Sequence, residues 1–540
     1  MAGAVAIGAG LRVYQFGIQS SLWLDELAMA NNIAERSWSS LLREPLAYAQ
    51  VAPLGFVAFE KAMFDAFGRN DLALRLYSLL AGIGSLGAIA LVALRAGFRE
   101  LAWVAPLLLG LGGPFIFQSA QVKPYAGDVF FSLVLLAIAL RLVSVRESSR
   151  LRPMALGMLA PWFSFAASFT LAGIGLVLLL SAQRRRYLVV SAVWGLSVVA
   201  ALAYATLLVD RTTLDAMQIF WSRDGVGFPT GVGDVIPWAL VQFRAHLWSE
   251  LGLRGVTYWL GIAGLGAIAL WWRNRFALAL IAAPILVALI AAAARRYPLG
   301  GRLSHWIAAF LVLFVVAAVA EAGRFLRRMR LGELVPLAGT AVAVLPLLSL
   351  LQNAPPYRVE NVKPVLAEIA RRREEGDWLY VHSGAWHAYR YYGHLSGIPA
   401  HRIVPSLCPR ESAGESLAPF DAVRGRSRVW VLFTHVNVAR ERELVLSYLD
   451  RIGERRFSLG TPKPFVRASW SVETHLYDLS DRAKRQRATW NTFPISASEM
   501  PNEPTICTVG MVPRRTQLPR IERAGEVERE PRAAERARRQ

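Results

Sequence analysis

"RYPLGGRLSHWIAAFLVLFVVAAVAEAG", residues 296–323, sets a cluster of cations directly before an apolar run. From Leu303 to Ala320 there is no Asp, Glu, Lys or Arg. A spanning helix needs about 20 mostly apolar residues, so this stretch reads as a membrane crossing rather than as a helix buried in a soluble core. Working outward, the chain up to Leu351 divides into eleven such stretches, near 3–19, 74–94, 101–117, 126–143, 153–166, 168–182, 187–208, 256–272, 276–294, 303–320 and 334–351. Composition agrees: 54% hydrophobic and 18% charged residues in 540 do not suit a soluble protein. The predicted fold class is an α-helical polytopic membrane protein of about 11 transmembrane helices, with its membrane domain over residues 1–351.

The formal net charge of +21 raises nucleic acid as a partner, and the location of the charge argues against it. One set of short loops holds Arg95, Arg99, Arg141, Arg146, Arg150, Arg152, Arg184, Arg185, Arg186, Arg273, Arg275, Arg324, Arg327, Arg328 and Arg330. The alternate loops hold only Lys123, Arg295, Arg296 and Arg302. By the positive-inside rule the first set is cytoplasmic, which puts the N-terminus inside and everything after Leu351 outside. The opening "MAGAVAIGAGLRVYQFGIQS" has no basic n-region and no small-residue cleavage site before the acids that follow, so it reads as an uncleaved helix. It is short for a span, and a start upstream of Met1 is open.

Two outer segments are more than connections. Ala28 to Leu72 carries apolar residues at helical spacing with charges between, as in helices that lie in the membrane interface. Asp210 to Gly255 is rich in Gly, Trp and Phe; it reads either as a lid or as a loop packed on headgroups. Residues 352–480 alternate short strands and helices ("DWLYVHS", "SRVWVLFTHV" and "SWSVETHLYDLS" extended, "VKPVLAEIARRREEGD" helical), predicting an extracytoplasmic α/β domain. It has no phosphate-binding glycine motif. Six of the eight histidines lie here, at spacings that match no zinc pattern, and Cys408 and Cys507 form no C-x-x-C pair. Residues 481–540, poor in apolar side chains and rich in Arg, Glu and Pro, read as a disordered basic tail.

The chemistry collects on the outer face. Asp25 and Glu26 in "SLWLDEL" supply acid; Lys123 and Tyr125 in "SAQVKPYAGD", with Arg295, Arg296, Tyr297 and Arg302, supply cations and hydroxyls. Ionisable groups at membrane depth are costly, so their convergence points to a site. A carboxylate there can take a proton from an acceptor hydroxyl while cations hold a phosphate, which matches sugar transfer from a polyprenyl phosphate. Each residue also has a plainer reading: Asp25 and Glu26 favour a helix N-terminal dipole, Lys123 snorkels, and "RRY" anchors the chain. A glycolipid transporter or flippase, or a surface polysaccharide polymerase, would share the many spans and outer charges; the halves show no internal repeat of the kind common in transporters.

In order and spacing, "GLRVYQFGIQSSLWLDELAMANNI", "APLGFVAFEKAMFDAFGRNDLALRLYSLLAGIGSL", "SAQVKPYAGDVFFSLVLLAIAL" and the quoted 296–323 stretch resemble the C-type glycosyltransferase superfamily, over roughly residues 5–330. The bacterial branch similar to protein O-mannosyltransferases and lipid A aminoarabinose transferases matches best. The resemblance implies an inverting enzyme of the cytoplasmic (inner) membrane that uses a polyprenyl-phosphate-linked sugar and an acceptor lipid, glycan or protein of the cell envelope. It implies that Asp25 is catalytic, with Glu26 as its neighbour, and that Lys123 and Tyr125 stand where the family shows an Arg-Pro-Tyr-like triplet. Lysine keeps the charge and loses the fork, so Arg302 and Arg296, with Tyr297, become the candidates to grip phosphate. Arg75 matches an arginine common in the superfamily, and Ala52 and Pro53 replace a Pro-Pro pair. No cofactor is certain; some members need a divalent ion, for which Asp25, Glu26 and Asp71 or Asp128 offer oxygens without a spacing that demands one.

Overall fold

The computed structural model describes residues 1–144, 151–222, 226–253, 256–406, 413–436, 439–461 and 472–489. Arg146, Arg150, Cys408, Cys507 and the tail from residue 490 lie outside the described residues. Two compact units emerge, the first covering Met1–Asn361 and the second beginning at Val362. The first unit therefore extends beyond the expected boundary at 351, and hydrogen bonds explain why. Gln15 and the Tyr357 backbone exchange two of them, at 2.9 and 2.7 Å; Ser21 donates to Asn361 Oδ1, and the Leu24 amide donates to Glu360 Oε2 at 3.0 Å.

In chain order the first unit comprises α1 (Ala2–Gly17), α2 (Leu24–Glu35), α3 (Trp38–Arg43), α4 (Leu54–Phe67), α5 (Asp71–Arg95), α6 (Val104–Leu111), α7 (Gly113–Gln118), α8 (Tyr125–Ser144) and α9 (Leu151–Phe163). It continues with α10 (Phe165–Leu180), α11 (Arg184–Leu208), α12 (Arg211–Ser222), α13 (Val235–Ala245), α14 (Val256–Arg273), α15 (Arg275–Ala293), α16 (His305–Arg328) and α17 (Val335–Gln352). Among the described residues six helices are long and apolar enough to cross a membrane: α5, α8, α11, α15 and those containing α16 and α17. The expected count of eleven is not reached by that measure. The first stretch forms a helix of only 16 residues, 153–166 becomes a 13-residue helix with Pro161 inside it, and 101–117 breaks at Gly112 into α6 and α7.

α16 is the hub. Its span is 89% buried within the protein, against 28% for α11 and for α17, whose exposed faces carry Leu196, Val199, Leu347 and Leu351. Small residues let the helices close: a Cβ on Gly266 of α14 would fall 1.8 Å from the Phe314 carbonyl of α16, and one on Gly8 would fall 2.9 Å from the Gly110 Cα. The α1–α6 contact also contains Arg12, 1% exposed. Its guanidinium donates to Gly8 O at 3.0 Å, Leu109 O at 3.2 Å and Gly110 O at 3.5 Å. The last two carbonyls belong to the final turn of α6, whose acceptors lose their helical partners where the chain breaks. A buried cation thus closes the end of a broken helix.

The second unit holds a five-stranded sheet of order β2-β1-β3-β5-β4, made of β1 (Trp378–Val381), β2 (Ile403–Pro405), β3 (Val429–Phe433), β4 (Glu454–Gly460) and β5 (Glu473–Asp478). β1 pairs parallel with β2 and β3; β5 runs antiparallel to β3 and to β4. The expected strands are β1, β3 and β5. β2 is three residues long, and β4 opens with three consecutive charged residues, Glu454, Arg455 and Arg456, on an exposed edge, so neither shows the apolar signature of a strand.

Arg12→Leu should leave the Leu109 and Gly110 carbonyls without donors in an apolar setting, costing about 1–3 kcal/mol for each. Thermal unfolding in detergent should show a clear drop for Arg12→Leu and a smaller one for Arg12→Lys; equal midpoints for all three proteins would remove Arg12 from the account of the α6 break.

Candidate active site

α2 begins at Leu24, which puts Asp25 and Glu26 in its first turn. Neighbouring side chains on a helix diverge by about 100°, so the two acids face different surroundings. Glu26, 0% exposed, turns toward α5. Its Oε1 accepts from Arg75 Nε at 3.0 Å and from the Val122 amide at 2.9 Å; its Oε2 accepts from Arg75 Nη2 at 2.9 Å and from the Trp23 amide at 3.3 Å. Four donors saturate the carboxylate. Arg75 also donates to the Ser20 and Ser21 carbonyls, tying the entry to α2 onto α5.

Asp25 turns the other way and meets two cations. Lys123 Nζ lies 2.9 Å from Oδ1, and Arg302 Nη2 lies 2.9 Å from Oδ2. Two positive charges against one negative leave the cluster with a surplus positive charge. Lys123 also donates to Gln50 Oε1 at 2.6 Å. Arg302 lies over the rings of Trp23 and Tyr125, 5.7 and 5.8 Å from their centroids, and is the most exposed member, at 29% against 8% for Asp25 and 6% for Lys123. Its Nε has no hydrogen-bond partner among the described residues. Burial pushes the Lys123 ammonium below the ordinary lysine value; Asp25 opposes that shift, and Arg302 adds to it.

The loop that carries Lys123 is held from behind. Ser78 Oγ donates to the carbonyls of Gln121 and Lys123 at 2.6 and 2.8 Å, and Trp23 Nε1 donates to Gln121 Oε1 at 2.5 Å. Arg302 arrives on the short helical turn Gly301–Ser304, which starts from a left-handed residue, Gly301 at φ +49°. Lys123, Tyr125 and Arg302 are thus brought together around Asp25. Arg296 and Tyr297 are not. The Arg296 side chain is exposed, and the Tyr297 hydroxyl donates back to Leu303 O at 3.2 Å with its ring against Phe169.

The structure also adds residues that the sequence did not signal. Arg75 stood out only through the resemblance, as an arginine common in the superfamily, and its pairing with Glu26 did not; Gln50, Ser78 and Gln121 carry no signature at all. Glu60 on α4 is 0% exposed, and neither carboxyl oxygen has a partner among the described residues. Burial, with the nearby charge of Glu26, holds its carboxyl well above the ordinary range, so it is a neutral acid. For a divalent ion the donor set does not converge. Asp25 and Glu26 are held by cations, and Asp128 Oδ1 accepts from Ser164 Oγ at 2.5 Å and from the Ala166 amide at 3.4 Å. No group of three or more metal-ligating side chains occurs among the described residues.

No protein-family model and no curated protein sequence matches the chain. Its structure is similar to that of ArnT from Cupriavidus metallidurans in the apo state, at 13% identity over 88% of this chain and 98% of that one, with a TM-score of 0.49. The same protein bound to undecaprenyl phosphate matches at 13% identity and a TM-score of 0.48, over 88% and 97% of the two chains. The oligosaccharyltransferase AglB from Archaeoglobus fulgidus, in complex with an inhibitory peptide and a dolichol-phosphate, matches at 12% identity over 89% of this chain and 74% of that one, with a TM-score of 0.47.

Proposed function

We propose that the protein is an inverting glycosyltransferase that moves a sugar from a polyprenyl phosphate to a hydroxyl-bearing acceptor on the outer face of the cytoplasmic membrane. The observation that carries this reading is the bridging of one buried carboxylate, Asp25, by Lys123 and Arg302 at 2.9 Å each. A carboxylate so held is a weak base, because both cations favour its anionic form. The donor phosphate competes for the same two cations. As Lys123 and Arg302 turn to it, Asp25 loses their hold and its proton affinity rises, so the base is activated by the arrival of the donor. Asp25 then takes the proton of the acceptor hydroxyl. The oxygen attacks the anomeric carbon on the face opposite the phosphate, the bond from that carbon to the phosphate oxygen breaks, and polyprenyl phosphate leaves with the electron pair. Its developing charge meets Arg302 and Lys123 again. The rings of Tyr125 and Trp23 lie against the guanidinium. Glu26 does no chemistry in this scheme; with all its lone pairs engaged, it orients α2. No step is routed through a metal ion.

Asp25→Asn keeps volume and removes the base. Sugar transfer, measured in membranes supplied with a panel of labelled undecaprenyl-phosphate sugars, should fall by about 10²–10⁴-fold. The donor KM should not rise, because both cations are released to the phosphate. Undiminished turnover would rule out Asp25 as the base.

A second expectation concerns pH. The buried Lys123 ammonium titrates below an ordinary lysine, so donor affinity should weaken as pH rises into the alkaline range and that group loses its charge. Lys123→Arg, whose guanidinium stays charged throughout, should move the alkaline rise in donor KM to higher pH. An alkaline limb unchanged by this substitution would assign it to another group.

A further inference from the structure

The segment Asp210–Gly255 ends in a feature that neither a lid nor a headgroup-packing loop requires. After α13 the chain makes a five-residue π-helical turn, His246–Glu250, a rare geometry that concentrates at functional positions. Leu247, Leu251 and Leu253 around it are each 0% exposed, so the turn is built into the protein. Its two polar ends meet consecutive residues: His246 Nε2 lies 2.9 Å from Ser304 Oγ, and Glu250 Oε2 lies 2.5 Å from His305 Nδ1. All four are buried, with exposures of 2%, 0%, 7% and 1% for His246, Ser304, Glu250 and His305. The Phe115 ring of α7 covers the His305 imidazole at 3.9 Å between centroids. Gly112, where α6 and α7 part, admits the Glu250 carbonyl to a place where a Cβ would stand only 2.6 Å from it.

Ser304 and His305 stand two and three residues after Arg302: Ser304 ends the turn that delivers the guanidinium to Asp25, and His305 opens α16. We propose that the His246–Ser304 and Glu250–His305 contacts form a clamp that positions Arg302, making the second long loop a determinant of polyprenyl-phosphate binding. This rests on the reading of Arg302 as a phosphate ligand. Arg302 is the more exposed of the two cations on Asp25 and reaches it from the turn Gly301–Ser304, whose glycine is conformationally free. Without a fixed C-terminal end, that turn would let the guanidinium swing away. The clamp supplies the fixed end through a buried carboxylate–imidazole contact and a buried hydrogen bond, and Phe115 covers the imidazole face. Burial drives the His246 imidazole down to about 4, so it is neutral and meets Ser304 as a hydrogen-bond partner. Burial acts to raise the Glu250 carboxyl, but His305 outweighs it and the group lies below the ordinary range, so it stays anionic against His305. None of the four touches the proposed reacting atoms; all are positioning residues.

The test uses the full-length protein in detergent, with undecaprenyl phosphate as the probe and its Kd as the readout, so the transferred sugar need not be known. Glu250→Gln, Arg302→Ala and the double variant are compared. Glu250→Gln should weaken binding on the order of tenfold, which corresponds to about 1.4 kcal/mol lost from the Arg302 contact. The double variant should bind no worse than Arg302→Ala alone, because a clamp has nothing to position once the guanidinium is gone. Weakening in Glu250→Gln that adds fully to that of Arg302→Ala, or no weakening at all, overturns the clamp and leaves Arg302 as a phosphate ligand. A Kd unmoved by Arg302→Ala overturns the phosphate reading and the clamp with it. Should Glu250→Gln not fold, Ser304→Ala, which removes one hydroxyl, runs the same cycle.

Discussion

The pairing of Arg75 with Glu26 is the constraint on which the site depends. Both side chains are almost wholly buried, and the fork of the guanidinium meets the carboxylate with two nitrogens at 3.0 and 2.9 Å. Removing two charges from water is expensive, and such a pair adds little net stability over apolar residues of the same shape. Its value is geometric. Two more donors from Val122 and Trp23 reach the same carboxylate, so α2, α5 and the 121–123 loop are tied at one point. That knot fixes the rotation of α2, and the rotation decides what Asp25 faces. With Glu26 turned into α5, the preceding residue is swung toward Lys123 and Arg302. The adjacency of the two acids, which a helix-dipole reading explains only in part, follows from this division: one carboxylate sets the helix and the other is left to the cations.

Much of the membrane fold was legible because apolar length is a direct record of lipid contact. Leu303–Ala320 becomes the most buried of the spans, and the helical spacing of Ala28–Leu72 becomes α2, α3 and α4. The break at Gly112 was not legible. Hydropathy counts side chains, and Arg12 acts on backbone carbonyls of a helix nearly a hundred residues away, so the stretch 101–117 looked continuous. In the second unit the strands with apolar alternation were visible, while the short β2 and the charged edge strand β4 exist by pairing with their neighbours rather than by their own composition.

The candidate site divides in the same way. Asp25, Lys123 and Arg302 stood out because charge at membrane depth is conspicuous, and they meet. Arg296 and Tyr297 stood out for the same reason and do not meet Asp25, because sequence distance along a tight turn says nothing about which side chain turns inward. The Gly301–Ser304 turn carries Arg302 to the pocket, while the Tyr297 hydroxyl is returned to the Leu303 carbonyl of its own loop. Gln50, Ser78 and Gln121 act through carbonyls and amides, which any sequence supplies in excess, so they leave no pattern to read.

Glu60 bears on the charge of the pocket. Three carboxyl groups, Asp25, Glu26 and Glu60, occupy the α2 and α4 helices near one another, and a third negative charge would cancel the surplus positive charge that the Asp25 cluster presents. Burial without a partner removes it: the carboxyl keeps its proton, as the nearby Glu26 charge also favours. A neutral Glu60 therefore lets the pocket remain attractive to phosphate while still containing a buried acid. Were it ionised, its repulsion would fall on Glu26, the anion that the Arg75 fork holds. Burial of this third acid without a partner thus favours the same surplus of positive charge that Lys123 and Arg302 set up around Asp25.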